Sequence, residues 1–246
     1  MTVNLFCFHH AGGTASVFRA WEHGLPDGFT LRPVQLPGRD NPATAVRYHD
    51  LRPLVEDLDE LLDADLAEPY ATFGHSMGAL IAYWLVQRRM ARGATLPLAY
   101  LVAAYAAPHL TRPRLVGENV QDLDDVTLAH RLRAVGGMPE ELLSRPEWLR
   151  LLLGTVRDDL ILCASHRYIA APKLPMPVYV FGGRRDPLVD IGQLGGWRDH
   201  AADVFGIDLL DGGHFLVQDR NSGLLPAVRA RLVEAVPTVR SHPLSQ

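Results

Sequence analysis

Short apolar runs alternate along the chain with stretches whose apolar residues recur at three- and four-residue steps. Runs at residues 3–8, 31–36, 71–73, 98–105, 178–181 and 207–210 predict strands. Most are apolar throughout rather than alternating, the pattern of strands buried on both faces of a parallel sheet. Several close on Gly, Pro or His, as turns at a sheet edge do. Between two of the runs, Leu51, Leu54, Val55, Leu58, Leu61, Leu62 and Leu66 form one apolar stripe, with Glu56, Asp57, Asp59 and Glu60 between them. This spacing predicts a helix facing a sheet, capped by Asp50, with Pro53 in the first turn where its missing N–H does no harm. Strand–helix–strand succession of this kind implies right-handed crossovers and a parallel sheet.

One stretch breaks the rhythm. No strand pattern occurs between Tyr105 and Val178. Helical patterns at residues 123–135, 139–143 and 146–168 fill the interval. The expectation is a helical insertion over about residues 110–170, lying as a lid over a site in a single α/β domain that spans 1–246. Residues 237–246 read as a frayed tail.

A chain of 246 residues, 48% apolar and 21% charged, is long enough for an ample core. Its formal net charge of -4 argues against general nucleic-acid binding, which needs a dominant basic surface. Cys7 lies in the apolar run Leu5-Phe6-Cys7-Phe8 and reads, with Cys163, as a reduced thiol. The N-terminal run lacks a basic start and is too short for a signal peptide. No segment reaches the roughly 20 apolar residues of a membrane span, so a cytoplasmic location is expected.

Gly74-His75-Ser76-Met77-Gly78 is a G-x-S-x-G motif between an apolar strand and the apolar helical run 79–86. That context makes it a nucleophile elbow and implies the α/β-hydrolase fold: a mostly parallel central sheet flanked by helices. Ser76 is the nucleophile, and the following helix N-terminus favours negative charge beside it. A serine hydroxyl needs a base, and the chain order in this fold is Ser, acid, His. Of the later histidines, His214 directly follows a strand in Leu210-Asp211-Gly212-Gly213-His214, where the glycines permit a turn over the sheet edge. His130 and His166 lie in helical patterns, and His242 lies in the tail. Asp186 ends the preceding strand in Gly182-Gly183-Arg184-Arg185-Asp186 and is the acid; Asp190 is its rival, and Asp211 is too close to His214 to be favoured. The oxyanion donors are the backbone N–H groups of Met77 and of Ala11, the latter in the small-residue loop His9-His10-Ala11-Gly12-Gly13. Adjacent His9 and His10 do not make a metal site, having no second ligand cluster; one of them is expected at the site mouth.

These stretches, taken together, resemble the type II thioesterases of polyketide and nonribosomal peptide synthesis. The matching residues are 5–13, Gln35-Leu36-Pro37-Gly38-Arg39, 73–80, Val135-Gly136-Gly137-Met138-Pro139, Arg157-Asp158-Asp159 and Gly212-Gly213-His214-Phe215-Leu216. The resemblance implies a thioesterase that removes acyl groups from the phosphopantetheine arm of acyl or peptidyl carrier proteins. It would edit stalled synthases and need no cofactor beyond the arm its substrate carries. A transient carrier partner, a monomer, and no nucleic-acid or membrane partner are expected. Carrier proteins are acidic, so Arg88, Arg89, Arg92, Arg145 and Arg150 are candidates for a docking patch. The chain departs from the family in having His9 for the usual Pro, Asp40 for the usual Glu, and no acidic residue near Trp84. A carboxylesterase, an acyltransferase or a product-releasing cyclase is the alternative. A non-catalytic carrier-binding module is the remote one.

Overall fold

The computed structural model describes residues 2–39, 47–110, 120–138 and 146–236. Among them, six strands form one parallel sheet: β1 (Val3–Phe8), β2 (Phe29–Val34), β3 (Tyr70–His75), β4 (Tyr100–Ala103), β5 (Val178–Gly183) and β6 (Phe205–Leu210). Their order is β2-β1-β3-β4-β5-β6. The helices are α1 (Leu51–Leu62), α2 (Met77–Arg92), α3 (Asp125–Ala134), α4 (Pro146–Ala164), α5 (Ile191–Gly195) and α6 (Leu224–Ala235).

Side chains alternate across the pleat, so each central strand feeds two cores. Phe6, Phe8, Tyr100, Val102, Val178 and Val180 pack in one core with α1 and α2. Leu5, Cys7, Phe73, Leu101, Tyr179 and Phe181 pack in the other with Phe18, Trp21 and α6. Burial on both faces is why these strands read as unbroken apolar runs.

Only β1 keeps its predicted bounds; β3, β5 and β6 extend beyond theirs, and β2 and β4 are displaced or shortened. β2 is an edge strand whose ladder to β1 runs from Phe29 to Val34, not from residue 31 to 36. Leu36 is buried by the core beyond the ladder, so its apolarity marks packing rather than pairing. β4 stops at Ala103 because Ala104 turns to a φ of 53°, which no strand accommodates.

Helix α1 begins as expected: the Asp50 carboxylate accepts from the Arg52 N–H at 3.0 Å. Two of its positions do not follow the stripe. Leu61 is 69% exposed, and Asp59 is fully buried. Asp59 accepts from Arg88 Nε and Arg89 Nη1, both at 2.9 Å, and pairs with Arg92. Arg89, itself buried, also pairs with Asp63 at 2.9 Å. Three of the arginines named as docking candidates therefore tie α2 to α1, with Arg89 buried and Arg88 and Arg92 still 31% and 42% exposed. Arg145 lies outside the described residues, while Arg150 is exposed on α4.

Between β4 and β5, α3 and α4 build an apolar cluster of their own from Val120, Leu128, Leu132, Met138, Leu153, Val156 and Leu160. Ala11, just past β1, packs against both this cluster and the α1/α2 core. The Asp124 side chain caps α3, accepting from the Thr127 N–H at 2.9 Å. Helix α4 ends at Ala164 rather than 168, where His166 accepts from Trp84 Nε1 at 3.2 Å and donates to the Pro108 carbonyl at 3.0 Å. The helical pattern at 139–143, the tail from 237 and residue Asp40 lie outside the described residues. No helix among the described residues is long and apolar enough to cross a membrane.

Candidate active site

From β1 the chain crosses to one side of the sheet, to β2; from β3 it crosses to the other, to β4. The loops leaving β1 and β3 therefore diverge, and a crevice opens at the carboxyl ends of these two strands. The loop 9–13 and Ser76 stand at that point.

Ser76 has φ 54° and ψ −120°, one of two non-glycine residues with positive φ among those described. Such backbone costs about 1–3 kcal/mol and persists only where its surroundings hold it. Here the Ser76 N–H donates to the Ala103 carbonyl at 2.8 Å, and the Ser76 carbonyl accepts from the Ala79 N–H at 2.9 Å. The flanking glycines are needed for space. A Cβ on Gly74 would lie 2.4 Å from Ala79 Cα, and one on Gly78 would lie 2.1 Å from the Phe8 carbonyl oxygen. Both obstacles are backbone. Gly78→Ala is expected to cost about 3 kcal/mol, the upper part of the overpacking range. A urea midpoint equal to wild type would show that the elbow yields more easily than this packing implies.

His214 lies just beyond β6. Its Nδ1–H donates to Asp186 Oδ2 at 2.9 Å, which leaves Nε2 to accept from the Ser76 hydroxyl at 3.0 Å. The His214 and Asp186 side chains are 6% and 1% exposed. The second Asp186 oxygen accepts from the N–H groups of Leu188 at 2.7 Å and Val189 at 3.2 Å, so the carboxylate is held from both ends. Asp190 is instead the N-cap of α5, in a capping box with Gln193. Asp211 is exposed and pairs with Arg185. The turn before His214 does not use the left-handed region: neither Gly212 nor Gly213 has positive φ. Small size is needed at Gly183 instead, where a Cβ would lie 2.3 Å from the Gly213 carbonyl oxygen, and at Gly212, where one would lie 2.6 Å from Leu216 Cδ2; a Cβ on Gly213 would meet nothing within 4 Å.

No acceptor among the described residues takes the N–H of Met77 or of Ala11. Met77 is the first residue of α2, where intrahelical partners do not exist.

Three imidazoles outside the expected triad surround this site. His75 is fully buried, and its Nε2–H donates to the His214 carbonyl at 2.9 Å. His10 stacks edge-on against His75 and against Phe215, with ring centroids 5.5 and 5.0 Å apart. His10 Nδ1–H donates to the Ala11 carbonyl at 2.9 Å, and Nε2 accepts from Gln218 Nε2 at 3.0 Å. His9 is fully buried and donates from Nδ1 to the His10 carbonyl at 2.9 Å. Neither His9 nor His10 stands at an open mouth, as one was expected to. Burial lowers the pKa of His9 to about 3 and of His10 to about 4, and that of His75 well below the usual histidine value. The only sequence signal for these roles was their position beside the elbow and the β1 loop.

The Arg157-Asp158-Asp159 segment of α4 also acquires a physical meaning. Arg157 donates to the Val120 carbonyl and to Asp125. Asp158 pairs with Arg47 at 2.5 Å and His49 at 3.0 Å. Asp159 accepts from Arg39 Nη2 at 2.5 and 2.6 Å and from the Gly12 N–H at 2.7 Å. Each residue ties α4 to a different part of the chain.

A nucleophile on a strained strand-to-helix turn, with acid and histidine following in that order along a parallel sheet, is the architecture of the α/β-hydrolases. The fold is shared with a solved structure: the RedJ thioesterase of the prodiginine pathway in Streptomyces coelicolor superposes with a TM-score of 0.86 at 32% identity, covering 95% of this chain and 90% of that one. The thioesterase domain family profile matches residues 3–232. Thioesterase PikA5 of Streptomyces venezuelae is 31% identical over 89% of this chain and 76% of its own length. A relative named linear gramicidin dehydrogenase LgrE, from Brevibacillus parabrevis, is 34% identical over 94% of this chain and 88% of its own. The redox word belongs to that protein's name; the loop after β1 here, His9-His10-Ala11-Gly12-Gly13, lacks the G-x-G-x-x-G spacing of a dinucleotide turn. The chain belongs to the thioesterase family and is a serine hydrolase acting on thioesters.

Proposed function

We propose that this enzyme releases acyl groups from the phosphopantetheine arm of acyl or peptidyl carrier proteins, clearing stalled polyketide or nonribosomal peptide synthases. The observation that carries the mechanism is His214, in hydrogen-bond contact with Ser76 on one ring nitrogen and Asp186 on the other. Ser76 Oγ attacks the thioester carbonyl while His214 Nε2 takes its proton. Asp186 fixes the His214 tautomer and stabilises the imidazolium without taking the proton. The N–H groups of Met77 and Ala11 receive the developing oxyanion. Collapse expels the pantetheine sulfur, which leaves as a thiol with the proton from His214. Water, activated by His214, then attacks the acyl-serine, releasing the acid and restoring Ser76. A thiol titrates near 8.5, so it leaves readily and asks less of the site than an amide nitrogen does.

Helices α3 and α4 serve as a lid over this crevice within one domain, and their own apolar cluster, touching the loop after β1 at Ala11, supports that reading. No cofactor is required, because the arm arrives on the substrate. The enzyme acts in the cytoplasm as a separate monomer that meets its carrier transiently.

Intact-mass analysis of acyl-carrier proteins, from acetyl to medium-chain acyl, tests this. The expected result is loss of the acyl mass and recovery of the holo-carrier. Hydrolysis of simple esters with no carrier deacylated would reject the carrier as substrate.

A further inference from the structure

We propose that Asp159 and Arg39 are positioning residues that set the Ala11 N–H for the oxyanion, making the oxyanion loop part of one ion-paired unit with α4. The inference rests on the assignment of Ala11 as an oxyanion donor. The loop it concerns is held from within on its His9–Ala11 side, while its glycine half brings no side chain of its own. Gly12 and Gly13 lack side chains, and Gly12 has φ 74°, a conformation glycine leaves as easily as it enters. Within the loop the His10 carbonyl accepts from the Gly13 N–H at 3.0 Å and from His9 Nδ1 at 2.9 Å, and the Ala11 carbonyl accepts from His10 Nδ1 at 2.9 Å.

The restraint on the glycine half is external and comes from two directions. Asp159, on α4, accepts the Gly12 N–H at 2.7 Å. Arg39, on the loop after β2, donates from Nε to the Gly13 carbonyl at 3.3 Å. The two side chains then meet, Arg39 Nη2 lying 2.5 and 2.6 Å from the Asp159 oxygens. They are 10% and 6% exposed, so solvent does little to weaken the pair. Val156, one helical turn before, closes the remaining space: a Cβ on Gly12 would lie 2.4 Å from its Cγ2. The Gly12 amide is adjacent in sequence to Ala11, so fixing its plane restricts the rotation that aims the Ala11 N–H. Misplacement by about 1 Å is enough to cost a hundredfold in rate.

Two variants test this, because removing one member alone leaves a buried charge unpaired. Asp159→Asn keeps an oxygen for the Gly12 N–H but breaks the ion pair. The double variant Arg39→Met with Asp159→Leu removes both charges and both restraints. Each is assayed with a simple p-nitrophenyl ester and with its thiono analogue, in which sulfur replaces the carbonyl oxygen and accepts hydrogen bonds poorly. Wild type is expected to favour the oxygen ester strongly. The double variant is expected to lose about 100-fold in kcat on the oxygen ester, with KM changed less than about threefold. Its oxygen-to-sulfur preference should shrink by a similar factor, and the acidic limb of its pH profile should stay in place. Asp159→Asn should fall between the two. A merely structural role would lower the melting temperature but leave the oxygen-to-sulfur ratio at the wild-type value, and that result in a folded variant would overturn the proposal. So would a wild type with no preference for oxygen. A wild type that shows the preference yet deacylates no carrier would overturn the carrier assignment and leave this inference standing.

Discussion

Ser76→Ala is expected to lower the rate of acyl release about a millionfold, the scale on which removing the nucleophile of a serine–histidine couple acts. The geometry explains why no neighbour can substitute. His214 Nε2 is bonded to the Ser76 hydroxyl, and its other nitrogen is committed to Asp186. Once the hydroxyl is gone, His214 can at best activate water against a carbonyl held by the N–H groups of Met77 and Ala11. Residual catalysis of about 1000- to 10,000-fold over the uncatalysed rate is what such a site retains. The fold should not change. The strain at Ser76 is in the backbone, and Ser and Ala meet the φ of 54° with nearly the same steric cost. Rates are to be read by intact mass on a fixed acyl-carrier, beside urea midpoints of both proteins. Retention of more than about one-thousandth of the wild-type rate in a clean preparation would place the nucleophile elsewhere.

The second large effect is on stability at acid pH. His9, His10 and His75 are buried and neutral in the folded chain, titrating at about 3, at about 4 and well below the ordinary value respectively. In the unfolded chain each titrates near 6.5. Between about pH 6.5 and pH 4 the unfolded chain therefore binds three protons that the folded chain refuses. Stability is fully present above that window and falls as the pH falls through it. Each histidine contributes about 1.4 kcal/mol per pH unit, or about 4 kcal/mol per unit together. Against a total of about 5–15 kcal/mol, this unfolds a protein at the low end of that range near about pH 5 and one at the high end only below about pH 4. Urea midpoints measured at half-unit steps from pH 8 to pH 5 should be flat at first and then drop steeply. A midpoint constant to pH 5, or histidine NMR titrations near 6.5 for these three, would refute the argument. Their neutrality also serves the chemistry. A cation on His10 or His75, packed against the ring of Phe215 or bonded to the His214 backbone, would oppose the imidazolium that forms on His214 during turnover.

Much of this protein was legible in its sequence because local rules and tertiary demands coincide. Strands buried on both faces leave unbroken apolar runs, so β1, β3 and β5 stand out. The elbow must have small residues two positions either side of the nucleophile, so Gly74 and Gly78 announce Ser76. The order Ser76, Asp186, His214 follows from where strands of a doubly covered sheet end. Even the Asp50 cap could be read from its place before an apolar stripe.

What the sequence by itself could not determine was which polar groups meet across long separations. Asp59 looks like one carboxylate among four on a helix face, and the convergence of Arg88, Arg89 and Arg92 on it is settled only when α2 packs on α1. The same packing buries Arg89 and leaves Arg88 and Arg92 at the surface, already paired with Asp59. Leu61 continues the stripe in sequence yet faces solvent, while Leu62 and Leu66 beyond it reach the core. Gly12 and Asp159 are 147 residues apart, and no periodicity links them. Spacing along a chain reports the neighbours that a helix or strand creates; partners brought together by the closing of loops over a sheet are decided by the tertiary structure, whose buried charges must find one another or go unpaired.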